Sequence, residues 1–590
     1  MLSTLRKFYF FLDSGSSAKL AFLLVVIVLM SLLEVAGIAS IFPFLQLASN
    51  PDATLENRVL GWVKRTFTFD NHDDMLMFTG LSVVAFLVVS SGLGAFSVWQ
   101  RQRIAWSLAH NLSMKLIRSY SELPYEFFLH HTSADLIKKI IDDVNSLVTG
   151  VVLAGSQFLC QIIISTLILG LVMLIDPWTA VGAFGLISLF YTVLFFCRKR
   201  YLTDLGRERL AMNLLRYKTF VDLMTGIRTI KSDGSLDFFE NRFEVASKRF
   251  AEIHPKVQFA AAVPRYAVEA VAFGSIILVT LFLVSSGGNF QKALPKLTLF
   301  ALAGYRLLPA INGCYNSLVQ VISNYTAIES IYDDLLGSDA NRPDSKIPLQ
   351  FENAIQLKNI SFRYKETNDG IDNVSIKIRP NEKIAFIGPS GSGKSTLANV
   401  LMGLLTHQNG QILVDGVSLD QRTLDSWRSM IGYVPQDVFL FDATIEQNVA
   451  FGTEPVDDEK LKAALKAAQL TSFIESLPDQ QNTLVGEAGI RLSGGQRQRI
   501  GLARALYRQP RILILDEATS ALDSGTEKLV IDSICNQLNG ITIAMIAHRM
   551  STVRQCDRLY VLDRGQLIAE GTYESLLNSS QLFRELASLN

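Results

Sequence analysis

The chain begins as almost continuous apolar sequence and ends as a finer alternation of short apolar and polar runs. Six stretches, at about 20–47, 75–99, 148–175, 177–197, 260–285 and 297–325, each approach the roughly 20 apolar residues that a helix needs to cross a bilayer. The polar segments between them keep a helical spacing, which predicts helices reaching beyond the lipid. Residues 337–348, from Gly337 to Pro348, are polar and carry Pro343 and Pro348, so they read as a linker. Past it, short apolar strands alternate with helical stretches, the pattern of a soluble α/β domain. The expected organisation is a six-helix membrane domain over 1–336, a linker over 337–348 and an α/β domain over 349–590.

Charge orients the first half. Residues 101–146 hold six Lys/Arg and residues 198–258 hold thirteen, whereas the connections at 176 and 286–296 are short and poor in cations. Cation-rich loops stay cytoplasmic, so both long loops and both termini are expected inside. Segment 48–74 then faces outward; Leu55, Val59, Leu60, Trp62, Val63 and Phe67 fall near helical spacing, and an interfacial helix and an ordered loop are both open. The 590 residues exceed one ordinary domain, and 49% hydrophobic content is high for a soluble enzyme. Lys+Arg and Asp+Glu balance at 55 each, so no basic footprint for nucleic acid exists. Five scattered cysteines form no CxxC or Cys/His cluster and read as free thiols in a reducing compartment. Residues 1–19 lack the pattern of a cleaved signal, so the first apolar stretch reads as a retained helix.

The chemistry lies in the second half. Lys383 to Ile387 is a β-rich run that leads into Gly388, Pro389, Ser390, Gly391, Ser392, Gly393, Lys394 and Ser395, followed by helical sequence from Thr396. This strand–loop–helix fits G-x-x-x-x-G-K-[ST], in which backbone N–H groups and a helix N-terminus surround phosphates. Lys394 is expected to bridge the β- and γ-phosphates of ATP and Ser395 to ligate Mg²⁺. Residues 512–515 are apolar without alternation, as in a buried parallel strand. Asp516 at its end is expected to hold Mg²⁺ through water, and Glu517 to act as general base. Leu492, Ser493, Gly494, Gly495 and Gln496 lie between these motifs, with Ser493 positioned to open a helix.

In this order the motifs resemble those of ATP-binding cassette (ABC) transporters of the half-transporter exporter type, over nearly the whole chain and most specifically from Phe351 onward. The resemblance implies a type I exporter fold, with a P-loop nucleotide-binding domain fused to the six helices. It implies that Tyr364 stacks on adenine, although an ordinary strand tyrosine is the other reading. It implies that Gln436 contacts Mg²⁺ and the attacking water, that His548 touches the γ-phosphate, and that Asp523 crosses a dimer interface. Ser493, Gly494, Gly495 and Gln496 would meet the nucleotide held by a second copy. Two copies would make two composite sites, so a homodimer is expected, with hydrolysis driving translocation across the bacterial inner membrane. Segments 123–128 and 218–224 resemble the coupling elements that press on nucleotide-binding domains.

Charged groups at membrane depth usually face a cavity or a partner. Glu34, Arg265, Glu269 and Arg306 qualify. Arg265 and Glu269 are four apart and either pair along one helix face or serve a substrate. Arg306 either pairs with Glu34 or holds an anionic head group. Residues 34–44, 261–265 and 305–309 resemble the flippases for lipid-linked oligosaccharides of bacterial protein N-glycosylation. That implies a polyprenyl-pyrophosphate glycan as cargo. A multidrug, peptide or general lipid exporter is the alternative, and an ATP-gated channel or regulator a remote one.

Overall fold

The computed structural model describes residues 14–49, 58–67, 69, 71–175, 177–285, 290–339, 347–364, 369–519, 521–537, 540–547 and 549–589. The chain divides into two compact units, one of Met1–Leu123 with Leu129–Ala340, the other of Pro124–Phe128 with Asn341–Asn590.

The first unit is helical throughout. Its elements are α1 (Ser14–Ser49), α2 (Arg58–Phe67), α3 (His72–Glu122) and the short α4 (Tyr125–His130), whose first residues belong to the other unit. A third long run follows as α5 (Ser133–Lys138), α6 (Val144–Leu147) and α7 (Ala154–Ile175), joined by π-helical turns at Lys139–Asp143 and Val148–Leu153. Then come α8 (Pro177–Thr225), α9 (Ile227–Asp233), α10 (Leu236–Ser285), α11 (Phe290–Ser323) and α12 (Tyr325–Asp339). Five of the six apolar stretches lie wholly within one of these long runs, and the sixth passes through a turn at Asn324. Among the described residues, Ala21–Ile41, His72–Glu122 and Ser133–Met173 are long and apolar enough to cross a membrane.

Apolar side chains appear on both sides of these helices. On α1, Leu23 and Ile27 are buried while Phe22, Val25 and Leu29 are exposed. An exterior of that kind is costly in water and suited to lipid. Inside, Leu23, Ile27 and Val35 pack on Cys160, Ile164 and Ile168 of α7. Tyr191 and Leu202 of α8 meet Ile253 of α10 and Tyr315 of α11. At Gly206 a Cβ would lie 2.6 Å from the Ser323 carbonyl oxygen, so α8 crosses the end of α11 closely only because the residue is glycine.

The structure changes several expectations. Arg58–Phe67 of the outward segment is a helix, with Val63 packed beside Leu47 and Met75 and with Trp62 and Phe67 exposed; residues 50–57, including Leu55, lie outside the described residues. The 218–224 segment is not a separate transverse element but the end of α8, which breaks at Gly226. The expected linker begins inside α12, which runs to Asp339; 340–346 lie outside the described residues. α12 is held there because Asp334 accepts from Lys139 Nζ at 2.9 Å and from the Tyr120 hydroxyl at 2.6 Å.

The second unit contains two sheets. β1 (Ile355–Arg363), β2 (Gly370–Ile378), β4 (Asn409–Val414) and β5 (Val417–Ser418) form an antiparallel sheet in the order β2-β1-β4-β5. β3 (Lys383–Ile387), β6 (Ile431–Val434), β7 (Ile512–Asp516), β8 (Thr542–Ile546), β9 (Arg558–Asp563) and β10 (Gln566–Gly571) form the other, in the order β10-β9-β3-β8-β7-β6. Its strands are parallel except for the β9–β10 pair. β3, β7 and β8 are buried on both faces, which explains their unbroken apolar sequence. Three helices matter to the site: α13 (Lys394–Leu401), α14 (Gly494–Tyr507) and α15 (Ser524–Asp532).

Candidate functional site

In open parallel sheets, ligands gather at the carboxyl ends of the strands. Here Phe386 of β3 and Asp516 of β7 both pair with Ile546 of β8, so the three strands end in one row. The glycine-rich loop leaves that row after β3, and Asp516 and Glu517 leave it two strands away. Gln436 follows β6, the neighbour of β7.

The loop is built on glycine. At Gly388 (φ +155°) a Cβ would lie 2.1 Å from the Leu562 carbonyl oxygen. Gly393, at φ +98°, stands at the start of α13 in the left-handed region. Lys394 folds over the loop, its Nζ donating to the carbonyls of Gly388 at 2.9 Å and Pro389 at 2.8 Å. Burial pushes the Lys394 ammonium below its usual range, while the carboxylates of Glu517 and Asp516 pull it back up. Ser392 is buried, with a hydroxyl that has no partner. An ammonium, an unsatisfied hydroxyl and a helix N-terminus around left-handed glycines fit a phosphate chain.

Opposite the loop, Gln436 Nε2 donates to Glu517 Oε2 at 2.9 Å. Glu517 sits at φ +48°, a conformation uncommon for any residue but glycine. The Tyr433 hydroxyl is pushed up to about 12 by burial, helped by the charge of Asp516 and a hydrogen bond to it. Tyr433 is a site residue that the sequence reading missed. The available signal was its place on the strand just before Gln436.

A second cluster forms around the start of α14. Ser493 caps it: its Oγ accepts from Gln496 N–H at 3.2 Å, and Gln496 Oε1 accepts from Ser493 N–H at 2.8 Å. A Cβ on Gly494 would stand 3.3 Å from Ala521 Cβ, and one on Gly495 3.0 Å from Leu522 Cδ2. Gln498 Oε1 accepts from Ala521 N–H at 3.0 Å. Asp523 caps α15 by accepting from Thr526 N–H at 3.0 Å, which holds its carboxyl below the usual range. Ser493, Gly494, Gly495 and Asp523 are therefore held around one turn. Glu527, also missed, is buried beside it and accepts from Thr519 Oγ1 at 3.0 Å and from Arg549.

The remaining candidates are less gathered. Ser390 and Gly391 lie on the loop, and Ser395 and Thr396 open α13. Tyr364 is half-buried, edge-on to Phe362 at 5.0 Å. His548 lies outside the described residues. In the first unit, Arg265 Nε donates to Glu269 Oε1 at 2.6 Å, the pairing form of the two readings. Glu34 is half-buried, and Arg306 lies on α11 with its side chain outside the described residues. Within the second unit, Glu126 of α4 accepts from Thr406 N–H at 2.9 Å.

Residues 371–520 match the ABC transporter family, and residues 18–303 match the ABC transporter transmembrane region. The chain belongs to the ABC transporter family. It is 30% identical to the ATP-dependent lipid A-core flippase of Saccharophagus degradans, over 87% of this chain and 86% of that protein. It is 29% identical to the heterocyst differentiation ATP-binding protein HepA of Nostoc sp., over 92% of this chain and 89% of that one. Its fold is similar to that of a bacterial Atm1-family ABC exporter solved with ATP bound, with a TM-score of 0.80, 24% identity and coverage of 98% and 99% of the two chains. This ABC transporter therefore has the type I exporter fold and is an ATP-driven translocase. The narrower likeness to oligosaccharide flippases is carried by its residues alone.

Proposed function

We propose that the chain is a homodimeric flippase of the bacterial inner membrane, with both termini and the nucleotide-binding unit cytoplasmic. Its cargo is a lipid whose head group carries sugar and phosphate, in first place a polyprenyl-pyrophosphate oligosaccharide. The observation that carries the reading is the phosphate loop facing Asp516 and Glu517 in a chain fused to long lipid-facing helices. The lipid part is supported by relatives named as lipid A-core flippases, at 30% identity and above. Those names also favour a second reading, lipid A-core itself. The oligosaccharide cargo is supported by residues 34–44, 261–265 and 305–309.

In this reading Lys394 and the loop amides bind the phosphates, and Tyr364 stacks on the base. Ser395, Asp516 and Gln436 would hold Mg²⁺, which neutralises phosphate charge and orients the attacking water. Among the described residues no cluster of three His, Cys, Asp or Glu forms a metal cage, so the ion would depend on nucleotide oxygens too. Glu517 takes the proton of the water, Gln436 holds Glu517 in place, and His548 contacts the γ-phosphate. Ser493, Gly494, Gly495 and Gln496 of one copy meet the γ-phosphate held by the other, with Asp523 at the same interface. α4 then carries nucleotide-driven movement toward the membrane helices.

Reconstitution in proteoliposomes tests the cargo. ATP-dependent flipping of a polyprenyl-pyrophosphate oligosaccharide, absent in Lys394→Ala, is the expected result. Flipping of lipid A-core alone moves the reading to the second cargo, and flipping of neither overturns both.

A further inference from the structure

Outside the nucleotide site, a cavity in the first unit sets a buried cation among neutral hydrogen-bonding groups. It lies in the first unit among α3, the π turn before α7, α7 and α11, and has a volume of about 340 Å³. Arg101, Ser156, Gln157, Asn316, Ser317 and Gln320 are among its lining residues, and among the described residues that line it there is no carboxylate. Arg101 is only 8% exposed. Its Nη1 donates to the Gln157 side-chain oxygen, and its Nε has no partner. A buried guanidinium is ordinarily paired with a carboxylate, because withdrawing its charge from water is costly. Here its hydrogen-bond partner is an amide, and the described lining residues carry one positive charge and no negative one. Ser97, one helical turn away, is fully buried with an unsatisfied hydroxyl.

Asn316 and Gln320 are four residues apart on α11, so both amides stand on one helix face. Asn312 and Asn324 extend the same row, and Asn324 Oδ1 accepts from Arg209 Nη2 at 2.7 Å. The depth follows from the sequence. Arg101 lies two residues past the second apolar stretch and Gln320 five residues before the end of the sixth, so both stand at the cytoplasmic edge of the bilayer. Head groups of cytoplasmic-leaflet lipids lie at that level.

We propose that this cavity is a loading subsite for the head group of the cargo, an anionic sugar phosphate. The Arg101 guanidinium takes phosphate oxygens, for which its planar fork is matched. Asn316, Gln320 and Gln157 take sugar hydroxyls, which need neutral groups able both to donate and to accept. Arg265 of α10 is not among its described lining residues, and Arg306 lies ten residues before Asn316 on α11. It rests on the reading that the cargo is a sugar- and phosphate-bearing lipid.

Equilibrium binding to the full-length protein in nanodiscs, without ATP, tests it. The probes are a short-chain polyprenyl-pyrophosphoryl N-acetylglucosamine, the same polyprenyl pyrophosphate without sugar, and free N-acetylglucosamine 1-phosphate. Arg101→Gln weakens both lipid probes by about tenfold or more, and Arg101→Lys by less. Asn316→Leu and Gln320→Leu weaken the sugar-bearing lipid by about tenfold and leave the bare pyrophosphate lipid unchanged. That split between probes is not produced by a general loss of helix packing, and it stands even where Arg101→Gln fails to fold. Wild-type affinity for the sugar-bearing lipid in Asn316→Leu and Gln320→Leu overturns the subsite while leaving the cargo intact. Absence of lipid-probe binding to the wild type overturns the cargo reading itself. Equal affinity for free N-acetylglucosamine 1-phosphate overturns the lipid as the source of the head group.

Discussion

At the residue scale, Glu517 is the position where local preference and function diverge. Its φ of +48° is uncommon for a side chain with a Cβ, and such strain persists only where surrounding contacts enforce it. The hydrogen bond from Gln436 and the pairing of its own N–H with the Ile546 carbonyl at 3.3 Å are two such contacts. Glu517→Gln keeps size and polarity but removes the base. ATP turnover is expected to fall roughly 10²–10⁴-fold while nucleotide binding persists, measured as phosphate release against retained labelled ATP. Asp415 shows a purely structural carboxylate. Burial raises its pKa, but the backbone N–H groups of Glu352, Ala354 and Asn353 outweigh that and hold it below the usual range. A depressed carboxyl stabilises the fold above its unfolded pKa and loses that contribution as pH falls through the folded one. Asp415→Asn is therefore expected to destabilise the nucleotide-binding unit by about 1 kcal/mol near pH 7, after allowance for solvent screening. The difference in thermal midpoint should begin to shrink once the pH falls below the ordinary carboxylate value and vanish only below the depressed pKa of Asp415.

At the element scale, α4 is the part that behaves unlike its sequence neighbours. Pro124–Phe128 is separated in sequence from the nucleotide-binding unit by more than two hundred residues, yet belongs to it compactly. Glu126 contributes by accepting from the Thr406 backbone. Glu126→Ala is expected to leave unstimulated ATPase within about twofold and to lower flipping several-fold, so the measured quantity is lipid moved per ATP hydrolysed. The capping of α14 gives a second case, since Ser493 both starts the helix and belongs to the motif. Ser493→Ala removes the acceptor for Gln496 N–H, at a cost of about 1 kcal/mol, whereas Ser493→Asp keeps a cap. Asp is expected to restore thermal stability but not ATP turnover, which separates the two roles. Motifs such as 388–395 and 492–496 were legible because their geometry is local: glycines, a lysine and a cap within one turn. The six apolar stretches were legible because lipid imposes a length on each. The Tyr433–Asp516 contact, the Glu527 network and the Arg101–Gln157 contact were not, because they join residues far apart in sequence through strand order and helix packing. Residues 337–339 read as linker by composition, yet α12 continues through them from a half-buried anchorage at Asp334.

At the scale of the whole molecule, the question is whether one chain completes its own ATP site. Lys394 and Ser493 are separated by 99 residues and start different helices, α13 and α14. Ser493 and Asp523 are held together around the Ala521–Leu522 turn, so they form one face that acts as a unit. If that face serves the nucleotide of the partner, two different lesions become complementary. A Lys394→Ala chain lacks the phosphate loop, and a Gly494→Asp chain lacks the signature face. Either variant alone makes dimers with no complete site. In a mixed dimer, the intact loop of the second chain meets the intact signature face of the first, so one whole site is restored. The other site carries both lesions. Differently tagged chains, co-expressed and purified through both tags, are expected to trap nucleotide with vanadate in the mixed dimer and in neither parent. Trapping in no dimer would mean that each chain closes its own site. The proposed coupling of hydrolysis to lipid movement would then lose the ATP-held contact between copies that it requires.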